Sequence, residues 1–354
     1  MTRMPARIVL PRTPLLCVVS AALCLSAACM RQASGQETTS ASACGQPGPH
    51  QVVTMTFDWA DPARAGRRVP AKLYVPASTE APCPVIIFSH GLGGTREGYE
   101  YLGRHWASHG YVSVHIQHVG SDDSAWRGQR DTVAAMRRAA ADPRNAIERP
   151  RDVRFAIDQL ERLNTEEGEL RGRLDLAHIG MAGHSFGAHT TLWVAGQPML
   201  GPAGLQLPMG DPRVTAAIAM SPAPPPRASD AAIRRAFGQI RLPCMHMTGT
   251  EDQSIITSTT PAQRRIPYDC CSGSDQYLCI YSGGDHMVYS GRGRLADRPR
   301  DPAFRQHTLE LTTAFWDAYL RNDPAARTWL DGGAAAASLG ADGTLEQKHP
   351  APQE

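Results

Sequence analysis

Lysine is almost absent from this chain of 354 residues, in which Lys72 and Lys348 are the only two. The 36 basic residues are therefore nearly all arginine, and 34 acidic residues leave a formal net charge of +2. Arg3, Arg7 and Arg12 precede the first apolar run, and without them the charge would be about −1. Nothing in this near-neutral charge balance suggests nucleic acid as a partner, and we expect none.

The sequence also lacks an apolar run that is long enough to cross a membrane comfortably. The stretch Leu15–Ala28 follows a basic N-terminus and is shorter than the roughly 20 residues that a membrane helix needs. It predicts a signal peptide over residues 1–28 and an exported protein, which is periplasmic, secreted or lipid-anchored to the cell envelope. Two modes of cleavage stay open. The small residues before Cys29 suit an ordinary signal peptidase, whereas Cys29 itself resembles the lipidated cysteine of a bacterial lipoprotein and would attach the chain to a membrane.

Metal-binding patterns are missing as well. No C-x-x-C pair and no histidine at ligand spacing accompanies the cysteines, so we expect no metal site. The cysteines that follow Cys29 are Cys44, Cys83, Cys244, Cys270, Cys271 and Cys279. This even number predicts structural disulfide bonds in an exported protein. Because three of the six lie shortly before His286, a bridge could brace the loop that carries this histidine.

One domain is predicted between two irregular segments. Residues 29–50 are rich in Ser, Thr, Gly, Gln and Pro and predict a flexible linker. Over residues 51–330, strands alternate with amphipathic helices, which predicts a single α/β domain with a mostly parallel, doubly wound sheet flanked by helices. The charged residues of the helix predicted over 145–163 are expected on its solvated face. Residues 331–354 turn to Ala, Gly and polar residues and predict a disordered tail.

The most informative stretch is Ile179–Gly196, where an apolar strand pattern leads into G-H-S-F-G and continues as a helix of small residues. Gly183 and Gly187 flank Ser185 at the spacing of a nucleophile elbow, a sharp turn that exposes the serine hydroxyl. A serine hydroxyl becomes a good nucleophile only when a base takes its proton. The elbow therefore predicts a histidine, an orienting carboxylate and an oxyanion site elsewhere in the chain.

Three further motifs offer these groups. The loop His90–Gly94, HGLGG, directly follows the buried strand predicted over Pro84–Ser89, and its glycines leave backbone N–H groups accessible. A carboxylate follows in GTEDQS, residues 249–254, and a histidine follows in GGDH, residues 283–286. Serine, acid and histidine in this chain order are typical of one fold class of serine hydrolases.

Taken together, HGLGG, GHSFG, GTEDQS and GGDH resemble the α/β-hydrolase superfamily. The resemblance is to its secreted dienelactone-hydrolase-like, platelet-activating-factor-acetylhydrolase-like and polyester-hydrolase-like branch, and it spans roughly Val52–Leu330. It implies the α/β-hydrolase fold and a serine hydrolase mechanism. The four motifs do not indicate which substrate is used.

The resemblance also implies residue roles. Ser185 would be the nucleophile, His286 the general base and then acid, and Asp252 the carboxylate that orients the histidine. Glu251 and Asp285 remain alternatives for the acid, because they are adjacent to Asp252 and His286.

The backbone N–H groups of Leu92 and Phe186 would form the oxyanion hole that the resemblance implies. Trp126 lies in a polar loop predicted to border the cleft, and His189 follows the nucleophile by four residues on the same helical face. Both are candidate substrate-binding residues, although either could equally belong to the core.

The expected function is that of an exported serine carboxylic ester hydrolase that forms an acyl-enzyme and needs no cofactor or metal. Its substrate would be a small-molecule, lipid or polymeric ester. Alternatives on the same fold are an acetylhydrolase for phospholipid-like esters, a lactone hydrolase and a polyester hydrolase. A catalytically silent cell-surface binding protein is the alternative from another functional class, since a fold alone does not establish activity.

Overall fold

The computed structural model describes residues 44–201, 205–226, 228–291 and 296–350. The predicted signal peptide, Cys29 and linker residues 29–43 lie outside the described residues. The strands are β1 Val52–Asp61, β2 Arg67–Pro76, β3 Cys83–Ser89, β4 Val112–Ile116, β5 Leu174–His184, β6 Met199–Leu200, β7 Gln206–Leu207, β8 Val214–Met220, β9 Cys244–Glu251, β10 Gln276–Asp285 and β11 Gly343–Lys348. The α-helices are α1 Glu100–Ser108, α2 Thr132–Ala141, α3 Pro143–Thr165, α4 Phe186–Val194, α5 Asp230–Phe237, α6 Ile266–Cys270, α7 Asp301–Leu320, α8 Pro324–Asp331 and α9 Ala334–Leu339.

Nine strands form one sheet in the order β1-β2-β4-β3-β5-β8-β9-β10-β11, and β6 and β7 form a separate hairpin. The six strands from β4 to β10 in this order are parallel, whereas β1, β2 and β11 are antiparallel to their neighbours. Helices connect the parallel strands, as right-handed crossover connections require. This architecture confirms the prediction of an α/β-hydrolase fold with a mostly parallel sheet.

Both faces of the sheet are buried, which explains the continuous apolar runs in its central strands. On β3, Ile86 and Phe88 pack with α1, α7, α8 and α9, whereas Val85 and Ile87 pack with α3 on the opposite face. Helices α4 and α5 extend that second layer over β8 and β9. The carboxyl ends of the parallel strands therefore meet at one edge, where α/β folds bind their ligands.

Residues 331–350 include α9 and β11, so the predicted disordered tail is wrong for this described part. Strand β11 pairs antiparallel with β10 and completes the sheet. Ala335 and Leu339 lie one helical turn apart on α9, and both are buried in the core. Pairing of β11 with β10 and the core contacts of Ala335 and Leu339 hold this segment in place, although its average composition indicated disorder.

The end of the predicted linker is also fixed. The backbone N–H of Gly48 donates to Oγ of Ser108, and the N–H of His50 donates to the Ser108 carbonyl. The carbonyl of Cys44 lies 2.8 Å from Nε2 of His105. Prediction of a flexible linker is therefore wrong for residues 44–50, because they satisfy polar groups at the end of α1.

No disulfide joins residues within the described ranges, so the predicted bridges are not found there. The thiols of Cys83, Cys244, Cys270, Cys271 and Cys279 are free. The sheet separates Cys279, which faces the core beneath α7, from Cys244 and Cys271, which pack on the other face with α5. Cys271 and Cys279 are therefore close in sequence but lie on opposite faces of the sheet.

No helix in the described part of the chain is long and apolar enough to cross a membrane.

Candidate active site

Ser185 lies at the sharp turn between β5 and α4 and has a positive φ of 57°. Such a conformation is strained for a residue with a side chain. It is held here by a tightly packed turn, which leaves no space for a different backbone conformation. A Cβ atom at Gly187 would lie 1.9 Å from the carbonyl oxygen of Ser89, and one at Gly183 would lie 2.4 Å from the carbonyl oxygen of Gly187. The two glycines of the motif are thus required by close backbone contacts.

The structure brings Ser185, His286 and Asp252 together from three different loops. Nε2 of His286 lies 2.9 Å from Oγ of Ser185, and Nδ1 lies 2.7 Å from Oδ1 of Asp252. The second carboxylate oxygen of Asp252 accepts a hydrogen bond from Thr248 at 2.9 Å. All three distances are within hydrogen-bond reach, as the predicted roles of nucleophile, base and orienting acid require.

Asp252 is fully buried, and burial alone would raise its pKa. The hydrogen bond and charge of His286, together with the positive charge of Arg264, outweigh that effect and lower the pKa of Asp252 below its ordinary range. The carboxylate is therefore ionised at neutral pH. An ionised acceptor at this position holds the proton of His286 on Nδ1 and leaves Nε2 facing the serine.

The alternative acids do not reach the histidine ring. The carboxylate of Glu251 lies 2.9 Å from Arg298, and the carboxylate of Asp285 lies 3.0 Å from the same guanidinium. Asp285 also accepts a hydrogen bond from the backbone N–H of Met287. Among the three carboxylates considered from the sequence, Asp252 is the one beside His286.

A buried arginine beside the acid was missed from the sequence. Nη2 of Arg264 lies 3.2 Å from Oδ1 of Asp252, and Nη1 donates to the carbonyl of Ser221 at 2.7 Å. Arg264 belongs to a 3-10 helix, Pro261–Arg265, and burial lowers the pKa of its guanidinium. It joins the loop after β8 to the loop after β9. Nothing in its local sequence separates it from the adjacent, partly exposed Arg265.

The predicted oxyanion donors lie on two sides of the serine. The loop that carries Leu92 is fixed by hydrogen bonds from Gly93 to the Ser121 carbonyl and from Gly94 to the Gly91 carbonyl. Phe186 is the first residue of α4, where helix N–H groups lack an internal partner. Within the described chain, the backbone N–H groups of Leu92 and Phe186 form no hydrogen bond with another backbone group. Their role as an oxyanion hole stays a prediction.

A cavity of about 500 Å³ opens above the serine. Its polar floor includes Ser185 and His286, and its walls are mostly apolar. The wall residues include Met136, Trp193, Met199, Leu200, Pro225, Pro226 and Ile255. A larger groove of about 770 Å³ lies at the amino ends of the strands and contains none of the predicted site residues.

The two candidate substrate-binding residues differ in position. His189 lines the cavity and stacks on Trp193 with a ring-centroid distance of 5.8 Å. Burial and nearby arginines lower the pKa of His189 to about 4, so its ring is neutral at pH 7. Trp126 does not line the cavity. Its Nε1 donates to the carbonyl of Gly93 at 2.9 Å, and the indole thereby supports the loop of Leu92 from behind.

The residue before the serine in the elbow motif, His184, packs against the ring of His286. Its ring lies 4.8 Å from the His286 ring, and its Nδ1 lies 2.7 Å from the hydroxyl of Tyr99. Burial holds the pKa of His184 well below its ordinary value, so the ring stays neutral beside His286. A neutral neighbour avoids a direct charge repulsion when His286 takes up a proton.

Comparison of the sequence with known proteins also supports the fold. Residues 60–146 match the family model "Platelet-activating factor acetylhydrolase, isoform II". The predicted resemblance to this branch of the α/β-hydrolases is confirmed. The matched segment contains the HGLGG loop and ends before the nucleophile elbow.

Two relatives carry the same name. A platelet-activating factor acetylhydrolase from Cavia porcellus is 31% identical over 154 residues, which are 35% of this chain and 34% of the relative. A platelet-activating factor acetylhydrolase from Canis lupus familiaris is 26% identical over 172 residues, which are 40% of this chain and 35% of the relative. The matched part of the chain thus spans about a third of the length of each of these relatives.

Proposed function

We propose that this chain hydrolyses carboxylic esters, with Ser185 as nucleophile, His286 as base and Asp252 as the acid that orients the base. The observation that carries this proposal is the continuous series of contacts from Asp252 Oδ1 through both nitrogens of His286 to Ser185 Oγ, at 2.7 and 2.9 Å. The series ends at the floor of a cavity that could hold an ester.

The reaction would proceed in two halves. Ser185 Oγ attacks the ester carbonyl carbon while its proton moves to Nε2 of His286. The resulting oxyanion accepts hydrogen bonds from the amides of Leu92 and Phe186. The intermediate then collapses, the alcohol leaves with the proton from Nε2, and an acyl group stays on Ser185. Water attacks this acyl-enzyme while giving a proton to Nε2, and the acid is released as the proton returns to the serine.

For the substrate class, we propose a short acyl ester, with an acetylated phospholipid-like ester as the main candidate. The mostly apolar walls and the modest volume of the cavity favour a small acyl group over a long chain. The names of the two relatives support the acetylated phospholipid-like ester. A lactone or a polyester chain end remains the alternative on the same catalytic residues.

The test uses the chain without residues 1–28. Its hydrolysis of p-nitrophenyl esters from acetate to palmitate is measured first, and its hydrolysis of an acetylated phospholipid second. Ser185→Ala should abolish turnover, whereas Ser338→Ala on α9, far from the cavity, should retain it. We expect the fastest turnover with the shortest acyl groups. A folded parent without turnover would favour a binding role, and activity that survives in Ser185→Ala would show that another group is the nucleophile.

We further propose that the protein acts outside the cytoplasm, because a basic N-terminus precedes the apolar run Leu15–Ala28. Fractionation of a bacterial host that expresses the full chain tests this. If Cys29 is lipidated, Cys29→Ser should move the protein from the membrane to the soluble fraction. An unchanged distribution would indicate cleavage without lipidation, and retention in the cytoplasm would contradict export.

A further inference from the structure

A buried arginine lies behind both segments that carry the predicted oxyanion donors. Arg149 belongs to α3, and its side chain is completely shielded from solvent, contrary to the expectation of a solvated charged face. Its Nη2 donates to Oγ of Ser89 at 3.0 Å and to the carbonyl oxygen of His90. These two residues end β3 and begin the loop that carries Leu92.

The same guanidinium contacts the helix that follows the nucleophile. Nε of Arg149 donates to Oγ1 of Thr190 at 2.8 Å, and Thr190 donates in turn to the carbonyl of Phe186 at 3.1 Å. The guanidinium carbon lies 4.6 Å from the centroid of the Phe186 ring, a cation–π arrangement. Arg149 therefore fixes the residue whose backbone N–H is the second predicted donor.

A third contact supports the loop from its far side. Nη1 of Arg149 donates to Oγ of Ser121 at 2.9 Å, and the carbonyl of Ser121 accepts a hydrogen bond from the N–H of Gly93 at 2.9 Å. Each guanidinium nitrogen thus binds a different segment of the scaffold. Such a fork of donors is a property of arginine that lysine cannot reproduce.

The charge of Arg149 is not paired with a carboxylate. Among the described residues, no carboxylate oxygen lies within 4 Å of its nitrogens. Asp152, on the next turn of α3, instead binds Arg67 at 2.8 Å and His118 at 3.0 Å. Burial lowers the pKa of Arg149 to about 9, which still leaves it protonated at pH 7. Asp152 and Asp122 act on Arg149 only at longer range. A buried cation that contacts no carboxylate directly is unfavourable, and it favours negative charge placed nearby.

We infer that Arg149 is a positioning residue for the oxyanion site. It holds the backbone amides of Leu92 and Phe186 in position, and its charge adds positive potential where the oxyanion develops. This inference rests on the proposed ester hydrolysis. The substrate carbonyl is neutral in the ground state and gains its charge only in the transition state. Arg149 should therefore affect kcat and leave KM nearly unchanged.

The experiment compares Arg149→Met and Arg149→Lys with the parent on p-nitrophenyl acetate, with melting temperatures measured for each. We expect Arg149→Met to lower kcat by about tenfold to a hundredfold with KM within about twofold, because an oxyanion contact is worth at least that much. Arg149→Lys should recover part of the loss, since it keeps the charge and loses the fork. An unchanged kcat in Arg149→Met, a loss confined to KM, or equal losses in both variants would overturn the inference.

If Arg149→Met does not fold, Thr190→Val and Ser121→Ala decide the question, because each removes one acceptor and keeps the cation. Both should lower kcat severalfold at constant KM, and parent-like kcat in both would refute a positioning role. The proposed function is tested separately from the role of Arg149. A parent without turnover refutes ester hydrolysis, whereas an active parent beside an equally active Arg149→Met refutes only the role of Arg149.

Discussion

Oδ1 of Asp252 lies 2.7 Å from Nδ1 of His286, although two other carboxylates are adjacent to these residues in the sequence. Glu251 and Asp285 both face Arg298, which draws them away from the cavity. Arg264 lies on the opposite side, 3.2 Å from Asp252. Glu251 and Asp285 thus share Arg298 and Asp252 contacts Arg264, and of these three carboxylates only the buried Asp252 lies beside the ring of His286.

Replacing Asp252 by Asn should remove the ionised acceptor and permit the wrong histidine tautomer. We expect kcat for p-nitrophenyl acetate to fall by roughly 10³- to 10⁴-fold, the scale of such a change in other serine hydrolases. Glu251→Gln is the matched control, because it neutralises the adjacent exposed carboxylate, and it should retain most of the activity. A nearly active Asp252→Asn would return the assignment to Asp285.

Buried histidines should make the folded chain sensitive to mild acid. Burial lowers the pKa of His115, His118 and His246 to about 4. In the unfolded chain these rings take up protons below about pH 6.5, whereas in the folded chain they stay neutral. The unfolded state therefore binds more protons between about pH 6.5 and 4, and stability must fall as the pH falls through this window.

Urea denaturation at several pH values between 7 and 4.5 measures this effect. Each such histidine contributes up to about 1.4 kcal/mol per pH unit to the free energy of unfolding. His246→Gln should reduce the slope by about one proton, because His246 is buried against Gln276 and is remote from the triad. A free energy of unfolding that does not change between pH 7 and 5 would contradict the prediction.

The sequence was sufficient to predict the parallel sheet and the serine elbow, because both depend on local patterns. The strand before Ser185 is a continuous apolar run, and Gly183 and Gly187 mark a turn that admits no other residue. The sequence assigned the acid to Asp252 but left Glu251 and Asp285 open as alternatives. Choosing among them required Arg264 and Arg298, which are 12 and 46 residues away from Asp252 in the chain.

The burial of charged residues on α3 could not be predicted from the sequence either, because it also depends on residues that are distant in the chain. Arg149 and Asp152 have the spacing of a charged surface on α3, yet both are completely buried. The partners of Arg149 come from β3, from the loop after β4 and from α4, and Asp152 binds Arg67 of β2, so no local window contains the information. The same limit applies to the tail, where Leu339 is ordered by contact with the core and not by its neighbours in sequence.

The elbow glycine Gly187 should tolerate no side chain. A Cβ atom there would lie 1.9 Å from the carbonyl oxygen of Ser89, which is backbone and cannot move aside cheaply. We expect Gly187→Ala to lower the free energy of unfolding by about 3 kcal/mol or more and to remove activity. Gly98→Ala is the control, because its Cβ would meet only the Thr95 carbonyl at 3.5 Å. Parent-like melting of Gly187→Ala would show that the turn can relax.

Thiol chemistry tests the absence of disulfides. Burial raises the pKa of Cys271 and Cys279 to about 12, and Cys270 is the only one of the five free thiols that is partly exposed. Because Cys44 is also partly exposed, the experiment uses a Cys44→Ser background. In it we expect a thiol reagent to label Cys270 first in the folded protein and to reach Cys83, Cys244, Cys271 and Cys279 only after unfolding, because thiolates are the reactive form. Cys270→Ser should abolish the fast phase and leave the slow one. Fewer than five reactive thiols in denaturant without reductant, or a melting temperature that drops when reductant is added, would restore the predicted bridge near His286.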